Sequence, residues 1–271
     1  MPVRPHWQGI KLKAQFVDWY QQQSLPRKLR MIARYAVDVL DPLPRMELNR
    51  RKRRNRSNKD AIFIWVPKTA GTSLVSILEQ NGALKLVDVY SVRKYFENKG
   101  IATFGHMSLT DLIAEGHVSQ DYFERAWKFA FVRNPYSRTV SLYHYLVDNK
   151  FMTPTTTFPV FCSYLEHRAY EPIGLYNHEG LNQVNPQVTW LLGADGQPLY
   201  DFLGKFENLE RDFEQVARSL QLSNGSGQLP QLNTTNHKSV SSYYSDREKR
   251  IVAELYRADF ERFGYDVSEL P

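Results

Sequence analysis

A single cysteine, Cys162, stands among the 271 residues, which excludes an intrachain disulfide, a cysteine-based zinc site and a dithiol redox pair. That fits a reducing compartment. No apolar run approaches the roughly 20 residues of a membrane-spanning helix. Residues 1–10 hold no signal-peptide core. The expectation is a cytoplasmic chain, soluble or peripheral to the inner face of a membrane. Acidic residues are in the minority, 29 against 35 Lys and Arg, so the formal charge of +6 favours anionic ligands. No Asp/Glu cluster flanks the main motif, so no carboxylate site for a divalent metal is expected there. Hydrophobic residues at 42% and aromatics at 13% exclude a disordered chain and are enough for a substantial core.

Residues 1–59 read as a basic, partly helical extension and 60–271 as one domain, with no internal repeat. Over 25–40, Leu29, Ile32, Ala36 and Leu40 recur at helical spacing, and Asp41-Pro42-Leu43-Pro44 ends the pattern. Such a helix packs on the protein's own core or lies on an anionic membrane surface. The basic block at 50–56 suits anionic lipid, an anionic substrate or nucleic acid, or is a solvated linker; no nucleic-acid partner is expected. From residue 60 the pattern alternates. Strands are expected at 62–66, 84–90, 101–105 and 127–132, and helices at 72–80, 109–115 and 138–148. This rhythm predicts an α/β fold, a parallel sheet with helices on its faces. Residues 151–200 read as loops with short helices, and 206–222 and 245–263 as helices around a Ser/Asn/Gly-rich loop.

The densest signal is Pro67-Lys68-Thr69-Ala70-Gly71-Thr72-Ser73, between an apolar strand and an apolar helix start. Backbone N–H groups at such a turn and the helix N-terminus make an anion site, and Gly71 permits close approach. Lys68 adds a full charge, and Thr69, Thr72 and Ser73 add hydroxyl donors. A nucleoside-triphosphate loop carries its lysine after the glycines; here the lysine comes first and the leading glycine is missing. A nucleotide kinase on the same kind of sheet is therefore an alternative of lower standing. A non-catalytic binder of anionic glycan or nucleic acid, working through the 50–56 block, is another.

A second strand ends in Arg133-Asn134-Pro135-Tyr136-Ser137-Arg138-Thr139-Val140-Ser141. In open parallel sheets ligands bind beyond the carboxyl ends of strands, so Arg133 can share a crevice with the Lys68 loop. Its forked guanidinium suits phosphate, and Ser141, on the following helix, can add a hydroxyl. His106 sits in a Gly-His turn after a short strand and is the candidate general base.

Together the two motifs resemble the sulfotransferases that use 3′-phosphoadenosine 5′-phosphosulfate (PAPS). The likeness is to the carbohydrate branch of heparan 2-O and HNK-1/chondroitin type and its bacterial members. It extends to Phe206-Glu207-Asn208-Leu209 with Asp212-Phe213, and to the stretch from Tyr256 to Tyr265. The resemblance implies a three-layer fold like that of P-loop nucleotidases. It makes Lys68, Thr69, Ala70, Gly71, Thr72 and Ser73 the 5′-phosphosulfate loop, Arg133 and Ser141 the 3′-phosphate site, and His106 the catalytic histidine. It implies PAPS as co-substrate without a metal, and a hydroxyl acceptor, in this branch a glycan. Lys238, in a polar loop before the last helices, is implied as a further phosphate contact. The stretch from Asn185 to Trp190 either lines the acceptor cleft or is a structural loop. The aromatic side chains Tyr143, Tyr145, Tyr176 and Trp190 either stack on sugar faces or belong to the core.

Overall fold

Four apolar residues, Ala61–Ile64, form strand β1, and every one of them is buried. A strand covered on both faces needs such a continuous run rather than alternation. β1 is the middle of a five-stranded sheet that also holds β2 (Leu84–Lys85), β3 (Ile101–Thr103), β4 (Trp127–Val132) and β7 (Phe202–Lys205), in the order β2-β3-β1-β4-β7. All pairings are parallel: Ala61 lies opposite Ile101 on one side and Trp127 on the other, and Phe129 opposite Phe202. The computed structural model describes residues 59–167, 177–178, 181–222 and 239–271, together with Leu25. The chain divides into Met1–Arg50 and Arg51–Pro271, and all described residues but Leu25 belong to the second unit. The expected helix over 26–40, the basic block at 50–56, Tyr176 and Lys238 lie outside the described residues.

Helices cover both faces, as the βα alternation predicts. On one face Phe63, Phe129 and Phe131 meet Leu74 and Leu78 of α1 (Gly71–Gln80) and Phe213, Val216 and Leu220 of α8 (Leu209–Leu220). The Phe63 and Phe129 rings stack at 5.2 Å. The alternate side chains Ile62, Ile64, Ala130 and Val132 are buried on the other face. α2 (Val89–Tyr95), α3 (Leu109–Ala114) and α4 (Gln120–Arg125) connect the strands on the way to β4. From α4, the Tyr122 hydroxyl donates to the carbonyls of Ala61 at 3.0 Å and Gly100 at 2.8 Å, tying β1 to the start of β3. A second apolar cluster joins α5 (Pro135–Asp148), α6 (Phe158–Glu166) and α9 (Asp246–Leu255) through Leu142, Leu146, Phe161, Leu165 and Ile251. The pair β5 (Asn177–His178) and β6 (Leu181–Asn182) and the short α7 (Val188–Leu191) lie between α6 and β7, and α10 (Arg257–Phe263) closes the chain. No described helix is long and apolar enough to cross a membrane.

Three local expectations are corrected and one strand is added. The strand expected at 84–90 stops at Lys85, because the Asp88 carboxylate accepts from Ser91 N at 2.7 Å and caps α2. β7 adds a strand between the loops expected to 200 and the helix expected from 206, and its Gly204 lies under the Phe131 ring, where a Cβ would come within 2.4 Å. The helix expected from 206 opens as a 3₁₀ turn, Phe206–Asn208, and becomes α-helical only at Leu209. The helix expected over 245–263 breaks at Tyr256 into α9 and α10. Replacing Tyr122 by Phe removes the one hydroxyl proton that the Ala61 and Gly100 carbonyls share and should cost about 1–2 kcal/mol in urea unfolding.

Candidate active site

Because β3, β1 and β4 are parallel neighbours, the segments that follow them leave the sheet at the same edge, one strand spacing apart. His106 follows β3, Lys68 follows β1 and Arg133 follows β4. The chain reverses its direction of sheet growth around β1, which is where open α/β sheets form their crevice.

The turn after β1 holds Lys68 and Ala70 with φ of 69° and 66°, left-handed values that non-glycine residues adopt at a cost. Two bonds hold it there. The Thr69 hydroxyl donates to the Val66 carbonyl at 2.9 Å, and Arg138 Nε on α5 donates to the Pro67 carbonyl at 3.2 Å. The Thr69 hydroxyl is therefore buried inside the turn, which corrects its expected role as a ligand donor. The first helical bond runs from Leu74 N to Ala70 O, and Ala70 has no capping side chain. The N–H groups of Gly71, Thr72 and Ser73 consequently have no protein acceptor among the described residues. Gly71 is required for a second reason besides ligand approach: a Cβ there would lie 1.8 Å from Trp65 Nε1.

The Lys68 ammonium lies 4.2 Å above the Tyr145 ring. Its pKa is lowered to about 8, first by burial, then by the Arg133 charge, with Arg138 adding to the effect and Asp148 opposing it. Lys68 and Arg133 thus sense one another across the crevice. Arg133 Nε donates to Ser137 Oγ at 3.0 Å, and the guanidinium lies 4.0 Å over Phe206. Its two terminal nitrogens have no protein partner among the described residues, so the forked end is available to an anion. Burial lowers its pKa to about 10, against the raising effect of Glu207 and Tyr265, and it stays charged at neutral pH. Ser141 lies one turn beyond Ser137 and one turn before Tyr145, on the stripe of α5 that meets both cations.

His106 Nδ1 is 2.7 Å from the Trp65 carbonyl. A carbonyl only accepts, so Nδ1 carries the proton, and the neutral form of the ring would have its lone pair at Nε2. The Trp65 ring packs 4.8 Å from the imidazole, and Trp190 Nε1 donates to the His106 carbonyl at 3.3 Å. Trp190 is buried, and the Tyr143 hydroxyl is engaged by the Thr156 carbonyl at 2.9 Å. Of the aromatics considered for sugar stacking, these two are packing groups instead. His144 pairs with the Tyr243 hydroxyl at 2.8 Å.

Residues 55–266 match the model of the sulfotransferase family. The chain belongs to the sulfotransferase family. No curated protein matches the chain.

Sequence reading missed the residues that hold this sulfotransferase site in shape. Gln187 is buried and pairs with both sides of the Arg133 backbone, accepting from its N–H at 2.9 Å and donating to its carbonyl at 2.8 Å. The segment from Asn185 to Trp190 is therefore structural on this side. Glu207 accepts from Asn134 N at 2.8 Å and from the Tyr265 hydroxyl at 2.9 Å. The buried Asp259 carboxylate accepts from the N–H groups of Gln187 and Val188 at 2.8 and 3.0 Å. Burial raises its pKa, while Arg138 and those N–H groups act the other way. Arg138 itself is buried and donates to the carbonyls of Gln183 and Asn185 at 2.9 and 3.0 Å as well as to Pro67. Arg138→Met would leave three carbonyls unpaired and remove the cation that favours Asp259 ionisation. The expected loss is about 3–5 kcal/mol in chemical denaturation, with Asp259→Asn recovering part of it when added to the first change.

Proposed function

We propose that this sulfotransferase takes PAPS as donor and delivers its sulfuryl group to a hydroxyl of a carbohydrate acceptor, with Lys68 and His106 as the catalytic pair. The observation that carries the reading is the presence of two separate anion sites at neighbouring strand ends: the unpartnered N–H rim of α1 with Lys68, and the outward fork of Arg133. A donor phosphorylated at both ends of its ribose needs two such sites, and a nucleoside triphosphate needs one.

In this reading the Gly71, Thr72 and Ser73 N–H groups and Lys68 bind the 5′-phosphosulfate, and Arg133 with Ser141 binds the 3′-phosphate. The donor supplies an activated sulfuryl group, whose bond to the 5′-phosphate oxygen breaks as a bond to the acceptor oxygen forms. Lys68 stabilises the charge that develops on the departing oxygen. His106 Nε2 takes the acceptor proton, with Nδ1–H held by the Trp65 carbonyl so that the ring presents the correct tautomer. A sulfuryl group carries less negative charge than a terminal phosphoryl group, so these side chains can serve without a divalent clamp. The glycan acceptor rests on the branch resemblance.

Binding to the folded state raises stability, so 3′,5′-adenosine bisphosphate should raise the unfolding temperature and ADP should do so much less. Equal shifts would sink the two-site reading, and transfer that stops in chelator would favour the kinase. Lys68→Ala should lower kcat by about 10²–10³-fold, the range for losing one preorganised group. His106→Ala should abolish turnover and leave the bisphosphate shift intact. The pH profile has a definite sign. Lys68 is charged below its pKa and loses that charge above it, so kcat/KM should fall as pH rises through about 8. The bound donor's negative charge raises that pKa, so the same limb in kcat should lie at higher pH. A flat kcat/KM profile between pH 7 and 9.5 would remove Lys68 from the transition state.

A further inference from the structure

We propose that Tyr145 is the positioning residue for Lys68: its ring face receives the ammonium and holds it charged over the crevice before a donor arrives. The inference rests on the role given to Lys68 above and adds the residue that prepares it.

Three observations converge on Tyr145. Lys68 leaves the backbone at a left-handed φ of 69°, in a turn whose carbonyls are tied to Thr69 and Arg138, so the direction of its Cα–Cβ bond is set by the turn. That direction brings the ammonium to 4.2 Å from the Tyr145 centroid, within the range where an aromatic face attracts a cation. Tyr145 falls on the α5 stripe of Ser137 and Ser141, two turns from the residue that holds Arg133 Nε. One helix therefore orients both cations.

The electrostatics give the ring a task. Charged groups acting on Lys68 are Arg133 at the β4 end, Arg138 on α5 and Asp148 at the α5 terminus. Two of the three are cations, and burial also disfavours charge, so the lysine is drawn toward neutrality before any anion binds. Asp148 is an exposed counter-charge and is weakened by water and salt. The Tyr145 face is uncharged and favours the ammonium without competing for the donor as a carboxylate would. A lysine already charged when the donor arrives needs no proton taken up on binding, so a residue that keeps it charged acts on kcat/KM.

The test reads Lys68 directly, without any transfer reaction. In the ligand-free protein, pH-dependent competitive acetylation of Lys68, resolved by peptide mass spectrometry, gives its titration midpoint. Tyr145→Phe keeps the aromatic face and should leave the midpoint in place. Tyr145→Leu keeps an apolar neighbour without the face, and should lower the midpoint by about 0.5–1.5 in pH, the size of a cation–π contact expressed as a pKa change. If the Leu variant does not fold, pentafluorophenylalanine at position 145 keeps the shape and reverses the electrostatic face, and it should also lower the midpoint. A midpoint that stays or rises without the π face overturns the proposal. In sulfuryl transfer, the falling limb of the kcat/KM profile should move to lower pH by the same amount, about 0.5–1.5, in the Leu variant, and the Phe variant should match the parent. If no transfer from PAPS is found but the midpoint moves, the donor assignment fails and the positioning role stands. If transfer is found and depends on Lys68 but the midpoint is indifferent to the ring, the positioning role alone fails.

Discussion

The Arg138 guanidinium is the contact on which the site depends. It is buried in α5 and reaches three carbonyls: Pro67 in the turn after β1, and Gln183 and Asn185 in the loop before α7. Neither loop has a ladder of its own to fix it, and the Lys68 turn carries two left-handed non-glycine residues that would relax if released. A neutral donor could not serve three acceptors at once. The buried cation is in turn tolerable because Asp259 is buried nearby and its charge is held by the N–H groups at the start of α7. The same segment supplies Gln187, which grips the Arg133 backbone. One buried charge system thus sets the positions of both Lys68 and Arg133.

The result is a crevice with an excess of positive charge in the ligand-free protein. Burial lowers the pKa values of Lys68 and Arg133, with Arg133 and Arg138 acting in the same direction on Lys68 and Arg138 on Arg133. That arrangement costs stability and is what makes an anion welcome: a dianionic group placed between the cations relieves the repulsion and is favoured by the N–H groups of α1. A site with its carboxylates already paired to these cations would have to break those pairs first. The one carboxylate that strongly organises Arg133's surroundings, Glu207, is engaged by Asn134 N and the Tyr265 hydroxyl rather than by the guanidinium.

The sheet was legible because its strands are unusual in composition. Ala61–Ile64 and Phe129–Val132 are apolar, buried runs that suit a twice-covered strand, and each is followed by turn residues. The candidate site residues were legible for a related reason: Lys68, Gly71, Arg133 and His106 sit at local turns, where chemistry and chain reversal share a few adjacent positions. What escaped was long-range. Gln187 meets Arg133 across 54 residues, and Asp259 meets Gln187 across 72, and nothing in either local sequence marks the pairing. Gly204 and Trp65 escaped for a packing reason, since an aromatic ring filling the place of a Cβ leaves no periodicity to read. Ser137 and Tyr145 were recoverable: they stand one turn to either side of Ser141, which the motif had singled out.

That spacing gives α5 a function beyond carrying side chains. Ser137 fixes Arg133 near the start of the helix, and Tyr145 meets Lys68 two turns later. At 1.5 Å per residue the interval is about 12 Å along the axis. A helix is stiff over that length, so α5 presents Ser137 to Arg133 and Tyr145 to Lys68 at a fixed interval, which adds to the hold that Arg138 has on the two loops. On the proposed function, a nucleotide with charge at only one end would meet one cation and leave the other uncompensated. One with charge at both ends would meet both without moving the scaffold. On that reading the rise of a helix would contribute to selectivity for a doubly phosphorylated donor.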